Sequence, residues 1–375
     1  MQYSKKLLMV TILSVMSNAR AGIIPVLLDA DLNGQSIYAH FGVTLGQDTD
    51  VGGNMQGASP ITIGINSIVG GNVQAGTVVL TGAGSSVGGY IKAGTSVDTG
   101  VGSVVEGNIY SGTTTNTGGS SIVEGDIEAG GKFQLGAAAV TNGSVSDFLA
   151  NDLDYVPPSV IQQGDQLGVV QETLRLLGVG NSTALDITFG ETNRTLTSGI
   201  YDSLNYLTIR AGRTLTLDGE NKEGDFLFNV HNYLDFASGA TVKLVNFTDS
   251  SKVIWNVLGD VTGTAGYMQA AAGVSIRGFV FARGYIGTGA DTTIFGIGNS
   301  CGGAASGQQK VGFGARNTIG AVSCISTFEP AIVNLPVPKS LWLYTLGLIG
   351  LIAAYRQKKR VRFGLGGQIS AFSST

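Results

Sequence analysis

Val123-Glu124-Gly125-Asp126-Ile127-Glu128-Ala129-Gly130 is the clearest copy of a pattern, Val-x-Gly-x-(Ile/Val/Met)-x-small, that returns every 18 residues. Its leading residues are Val51, Val69, Val87, Val105 and Val123, and the glycines two places on are Gly53, Gly71, Gly89, Gly107 and Gly125. Met55, Val73, Ile91, Ile109 and Ile127 come next, then the small residues Gly57, Ala75, Ala93, Ser111 and Ala129. A fainter copy runs through Thr141, Gly143 and Val145. A fixed period this short marks a stacked array, in which each unit shares a core with its neighbours. Within a copy the apolar residues alternate, as a strand with one buried face requires. A period of 18 residues divides into three short sides, so the spacing predicts a parallel β-solenoid with roughly triangular coils. At about 4.8 Å per coil, six coils make a rod ~29 Å long. Glycine at a constant offset suits corners where φ is positive or where backbones approach closely.

The rest of the 375-residue chain is read outward from this ladder. Charged residues are only 13 %, Gly is 58, and the net charge is -4, with no basic patch before the C-terminus, so nucleic acid is not an expected partner. Residues 1–21 carry the parts of a secretory signal: Lys5 and Lys6, the apolar run Leu7 to Met16, and Ala19-Arg20-Ala21 as a cleavage site. In an exported chain, Cys301 and Cys324, with 22 residues between them, read as one disulfide closing a glycine-rich loop. Free thiols or a metal site are the alternatives, but the chain holds only two histidines, His40 and His231. Residues 22–150 are read as the regular solenoid, with Ile37-Tyr38-Ala39 and Val43-Thr44-Leu45 as first strands that cap its open end.

Tyr155-Val156-Pro157-Pro158 breaks the pattern, and a linker and helix fill 151–180. Val160, Leu167, Val170, Leu174 and Leu177 take helical spacing, with Ser159 able to cap the start and Gly178 and Gly180 to stop it. A helix of about four turns follows, weakened by Gly164 and Gly168 and so dependent on packing. Short strands then resume at irregular intervals through 181–328.

Ser198-Gly199-Ile200-Tyr201, Arg213-Thr214-Leu215-Thr216-Leu217-Asp218-Gly219, Phe226-Leu227-Phe228-Asn229-Val230, Ala237-Ser238-Gly239-Ala240-Thr241-Val242 and Val253-Ile254-Trp255-Asn256-Val257 occur in this order. Together they resemble the second half of the bacterial and fungal ice-binding-protein-like domain, over about 160–295. That resemblance implies an irregular β-solenoid with one long helix lying along it. The 18-residue repeats are also similar to bactofilin-type polymer-forming repeats, which implies self-assembly through solenoid ends.

In the tail, 329–375, Val337-Pro338-Lys339-Ser340 precedes the apolar stretch Leu341 to Tyr355, and Arg356, Lys358, Lys359 and Arg360 close it. A transmembrane helix over 339–355 is expected, with its basic end in the cytoplasm. The arrangement resembles a PEP-CTERM sorting tail, although Val-Pro-Val-Pro stands in place of Pro-Glu-Pro and Val361 to Thr375 follow the basic cluster. It implies export across the inner membrane of a Gram-negative bacterium, an exosortase-like protease as partner, and anchoring or release at the cell surface. The fold class is thus all-β, a parallel β-solenoid with 18-residue and then irregular coils, one flanking α-helix and a C-terminal transmembrane helix.

No constellation of matched acid, base and nucleophile appears, so no enzyme and no cofactor are expected. His231 stands alone beside Phe228-Asn229-Val230. Asp48-Thr49-Asp50 and the acids from Asp147 to Asp154 lack the spacing of a calcium loop. The threonine columns Thr77, Thr95, Thr113 and Thr81, Thr99, Thr117 share the parity of inward Val79 and Val97, leaving irregular outward positions. Another side carries Asn54, Asn72, Tyr90, Asn108 and Asp126 beside Gln56, Gln74, Lys92, Tyr110 and Glu128, a bulky set. Better candidates for a flat ligand face are Thr195 and Thr197, Thr214 and Thr216, and Thr262 and Thr264. Two functions follow from this reading. The first is an exported structural or adhesive protein of the cell surface or matrix, with polysaccharide as a partner. The alternative is an ice-binding or ice-adhesion protein.

Overall fold

The computed structural model of the protein describes residues 35–147, 158–179 and 182–320, apart from 187, 188, 204, 223, 249, 250, 260–262 and 296–301. The signal segment, Cys301, Cys324 and the tail with Val337, Pro338, Arg356, Lys358, Lys359 and Arg360 lie outside these residues. Among the described residues, no helix is long and apolar enough to cross a membrane.

Three parallel sheets of 13, 11 and 12 strands, here A, B and C, form the sides of the solenoid, and each coil gives strands to them in turn. In the regular half the coil is 18 residues, so Met55, Val73, Ile91, Ile109 and Ile127 stack in register on sheet A. Val51, Val69, Val87, Val105 and Val123 do the same on sheet C, and all ten of these residues are buried. Each contributes about 1.5–3 kcal/mol by leaving water. The irregular half has longer coils, with a step of 27 residues from Asp225 to Lys252, and it fills the wider interior with aromatics. There Tyr201, Phe228 and Trp255 stack at 5.2 and 4.2 Å, and the Trp255 indole donates to the Arg277 carbonyl at 2.8 Å.

The stack does not run in sequence order. The strand Gln35–Ala39 lies between Asn54–Gly57 on one side and Gly303–Ser306 on the other, with Ile37 beside Ala304. Val43–Leu45 likewise pairs with Val311–Phe313, and Asp50–Val51 with Thr318–Ile319. The first strands were expected to cap an open end. They sit instead in the middle of the stack, because the last coil supplies the partner edge that a cap would have covered. The described chain therefore enters mid-rod and winds out to Val145–Asp147. It resumes at the far end with Thr183–Leu185 and winds back to meet its own first coil. At about 4.8 Å per coil, 13 coils span roughly 60 Å.

Helix α1, Pro158–Gly178, lies along sheet A. Its 21 residues make nearly six turns, longer than the four expected, and Pro158 takes the first helical position, which leaves Ser159 inside the first turn. Leu167, Val170 and Leu174 pack on Tyr38, Leu227, Ile254, Phe279, Phe281 and Ala305. From Leu167 to Leu177 the expected apolar stripe is thus the packing face, and it bridges the first coil, through Tyr38, and the last, through Ala305. This cover explains why Phe226–Val230 and Val253–Val257 are buried at every position, whereas uncovered strands alternate. Beneath α1 the Gln171 side chain donates to the carbonyls of Val257 and Phe281, each at 3.2 Å. Asn256 donates to the Gln171 carbonyl at 2.9 Å and to Asn229 Oδ1 at 2.8 Å.

Corners are built by two separate devices. Asn54, Asn72 and Asn108 accept, at Oδ1, the backbone N–H one coil on, at 2.8 to 3.0 Å, and Asp126 does the same for Ser144. The glycines before them have no room for a side chain: a Cβ on Gly71 would lie 2.3 Å from Asn54 Oδ1. Close approach, rather than positive φ, is what the repeating glycine serves. A column of positive φ runs along the corner between sheets B and C, on Gly212, Gly239, Gly273, Asp291, Arg316, Asp48, Asn66, Gly84, Gly102, Ser120 and Ala138, with values from 53° to 71°, and further positive-φ residues such as Glu220, Asn221 and Asn246 lie elsewhere.

Candidate functional site

Function on such a scaffold falls to the outward columns of the three sheets. On sheet A the irregular half is covered by α1. The regular half carries Gln74, Lys92, Tyr110 and Glu128, half-buried, with Gln74 bonded to the Tyr90 hydroxyl and Asn108 donating to the Tyr110 hydroxyl at 2.7 Å. Burial lowers the Lys92 pKa. These bulky side chains give no flat face, as the sequence indicated. Thr81, Thr99 and Thr117 point inward, as their parity required. Thr95 and Thr113 do not: they sit exposed at a corner, each hydroxyl donating to the carbonyl of Thr77 or Thr95 one coil back, at 3.0 and 2.9 Å.

Sheet C carries the most uniform face. Thr214 lies beside Thr241, Thr241 beside Ser275, Ser275 beside Thr293, and Thr293 beside Thr318. Each is half-buried and outward, alternating with buried Leu215, Val242, Ile276, Ile294 and Ile319. Five consecutive coils thus present one hydroxyl each, spaced by the ~4.8 Å strand repeat. The adjoining outward column contains Thr195, Thr216 and Lys243, and then Arg277 over the Phe295 ring at 5.6 Å. Beyond Thr318 the column continues as Asp50 and Ile68, and the uniformity ends.

Of the residues expected from sequence, Thr195, Thr197, Thr214 and Thr216 share sheet C, with Thr195 paired to Thr216 and Thr197 to Asp218. Thr264 is elsewhere, in the loop beside the Gly259–Ala265 bridge, and Thr262 lies outside the described residues. Thr241, Ser275, Thr293 and Thr318 were missed. Unequal coils separate them along the chain, and only the neighbouring apolar alternation could have flagged them.

Sheet B differs in character. Tyr206, Tyr233 and Tyr267 stack at 4.9 and 5.3 Å, nearly parallel, and burial heads the causes that raise the Tyr233 pKa. Beside them run Thr208, Asp235 and Gln269, and burial also raises the Asp235 pKa. His231 directly follows the strand Phe226–Val230, and its backbone N–H donates to the Ser203 carbonyl at 3.1 Å. Asp48 accepts from Asn66 at 3.2 Å, and among the described residues no group of three or more potential metal-ligand side chains occurs.

Fold and faces together define a helix-flanked parallel β-solenoid that exposes extended, in-register side-chain columns. The chain belongs to the ice-binding-like family, whose model matches residues 109–306 and so reaches back into the regular repeats. Among solved structures it is similar to an ice-binding protein from an Antarctic biological consortium, at 14% identity over 77% of this chain and 88% of that one, with a TM-score of 0.42. It is also similar to the ice-binding protein of the Antarctic ascomycete Antarctomyces psychrotrophicus, at 16% over 78% and 96%, TM-score 0.43. A domain of a Shewanella frigidimarina ice-binding protein matches at 22% over 57% and 92%, TM-score 0.34. No curated protein matches in sequence.

Proposed function

We propose that this protein is exported and binds ice, and that its working face is sheet C of the irregular half. The observation that carries the reading is the column Thr214, Thr241, Ser275, Thr293 and Thr318, in a chain of the ice-binding-like family. An ice surface demands weakly polar groups at a regular spacing on a rigid support. The hydroxyls supply the polarity, and the hydrogen-bonded strands fix the spacing before the ligand arrives, so little ordering entropy is lost on contact. Sorting by an exosortase-like protease through Val337, Pro338, Arg356, Lys358, Lys359 and Arg360 remains part of the proposal and would deliver this face to the cell exterior.

Thermal hysteresis and ice-recrystallisation assays on the purified protein test it. Activity is expected, and it should vanish in Thr241→Lys and Thr293→Lys while circular dichroism is unchanged. Absence of both activities in a folded protein removes the reading and leaves the structural or adhesive one, which the stacked tyrosines of sheet B favour.

A further inference from the structure

The fourth tyrosine of the sheet B column behaves differently from the other three. Tyr206, Tyr233 and Tyr267 use their ring faces on one another. Tyr285 stands next in line, just before the strand Ile286–Thr288. Its ring lies down over Gly287: a Cβ there would come within 2.3 Å of the ring. The ring also reaches toward Gly312, where a Cβ would lie 3.2 Å from the hydroxyl. These glycines occupy the outward positions of two paired strands, where the neighbouring coils carry Gln269 and Thr44. With one face on bare backbone and 36% of the residue exposed, the ring turns its other face to solvent.

A shallow cleft of about 400 Å³, open to solvent, adjoins it, lined by Phe41, Tyr285, Gln308, Gln309 and Lys310. Phe41 is 48% exposed, a large apolar ring left open beside the first. The walls are held by backbone. The Phe41 N–H donates to the Gln309 carbonyl at 3.3 Å, and the Ile286 N–H to the Lys310 carbonyl at 3.2 Å. Ser306 Oγ donates to the Gly284 carbonyl at 2.6 Å and accepts from the Gln309 N–H at 3.1 Å. The side chains of Gln308, Gln309 and Lys310 are exposed and, among the described residues, make no hydrogen bond or ion pair. Unspent donors and acceptors therefore ring an open aromatic face on a fixed frame, which is the composition of a small-ligand site.

We propose that this cleft binds a pyranose ring of a polysaccharide. A sugar ring has an apolar face of C–H bonds, which the negative π-face of Tyr285 attracts, and an equatorial rim of hydroxyls, which amides satisfy in both directions. Phe41 closes the apolar side, and Gln308 and Gln309 meet the rim. Lys310, the one charge in the lining, accommodates a neutral or carboxylated sugar and disfavours a cationic one. Two long, exposed amides beside a ring laid over the sheet also make this patch too uneven for a crystal surface. The cleft lies on sheet B and the hydroxyl column on sheet C, so the two sites can be inactivated separately.

The test is affinity electrophoresis of the full chain in native gels containing barley β-glucan, dextran, xylan or alginate. At least one polysaccharide should retard it. Tyr285→Ala and Phe41→Ala should weaken retardation about tenfold, the loss expected for a stacking contact, while Tyr285→Phe keeps it. Gly287→Val, which lifts the ring from the sheet, should act like Tyr285→Ala. Thr241→Lys should change nothing here. Retardation by none of the four polymers, or retardation unaffected by Tyr285→Ala and Phe41→Ala in protein with an unchanged circular dichroism spectrum, overturns the proposal.

Discussion

Thr49 donates its hydroxyl to the carbonyl of Gly314 at 3.2 Å, across 265 residues of chain. Around this bond the first and last coils pair through all three sheets, with backbone bonds such as Gly46 N–H to Phe313 O and Asp50 N–H to Asn317 O at 2.8 Å. This seam is bonded like any other coil boundary, yet it closes last in any sequential folding scheme, since its partners are distant in sequence. A Cβ on Gly46 would lie 2.4 Å from the Gly314 carbonyl. Gly46→Val should therefore cost at least ~2 kcal/mol, because rigid backbone must move. Denaturant unfolding followed by tryptophan fluorescence reads the effect.

The column of positive φ offers a cleaner measurement. Gly102 has φ +66°, and a Cβ there would meet nothing within 4 Å. Gly102→Ala should therefore destabilise through backbone conformation alone, by about 1 kcal/mol, while Ser120→Gly, at φ 55°, should stabilise by about 0.5–1 kcal/mol. Opposite shifts in the melting temperature are expected from the pair.

Docking of α1 rests on Leu174 and on Gln171, both buried. Leu174→Ala should cost about 2–5 kcal/mol through the cavity it leaves, and Gln171→Leu about 1–3 kcal/mol through the loss of its two side-chain hydrogen bonds to the carbonyls of Val257 and Phe281. Hydrogen exchange should rise across 167–177 and across the strand Val253–Val257 while the regular half stays protected.

Acid affects two groups of carboxylates in opposite senses. The Arg316 guanidinium holds Asp291 below its usual range. The backbone N–H of Glu220 does so for Asp218, and the N–H and hydroxyl of Ser144 for Asp126. Their stabilisation is present above the unfolded value near 3.9 and is lost as pH falls through the lowered folded values. The melting temperature should drop below about pH 4, and Asp291→Asn with Asp126→Asn should flatten that drop. Burial raises Asp235, so its contribution is present below the unfolded value and is lost as pH rises through the folded one. Asp235→Asn should raise the melting temperature at pH 7 but not at pH 3.

How much of this was legible depended on regularity. The inward Val, Ile and Met ladder repeats at an unvarying 18 residues, so one copy aligned the rest, and helix α1 announced its packing face through Leu167, Val170 and Leu174. The hydroxyl column of sheet C hides because its steps are 27, 34, 18 and 25 residues, set by corner excursions that no local pattern encodes. Thr214 was found from its Thr-Leu-Thr context, whereas Ser275 and Thr318 carry no such context. The mid-rod position of Gln35–Ala39 was equally invisible: an exposed strand edge looks the same in sequence whether a cap or the chain's own last coil covers it.

Because the described chain enters at Gln35 and leaves at Gly320, on neighbouring coils, the two flanking segments depart from almost the same level of the rod. Tension applied between them would fall on one coil boundary and bypass the other eleven. That boundary is also where α1 reaches across from Tyr38 to Ala305. Mechanically, the molecule is a clasp, and its resistance to being pulled apart by its flanks is set by a single interface with a helix strapped over it.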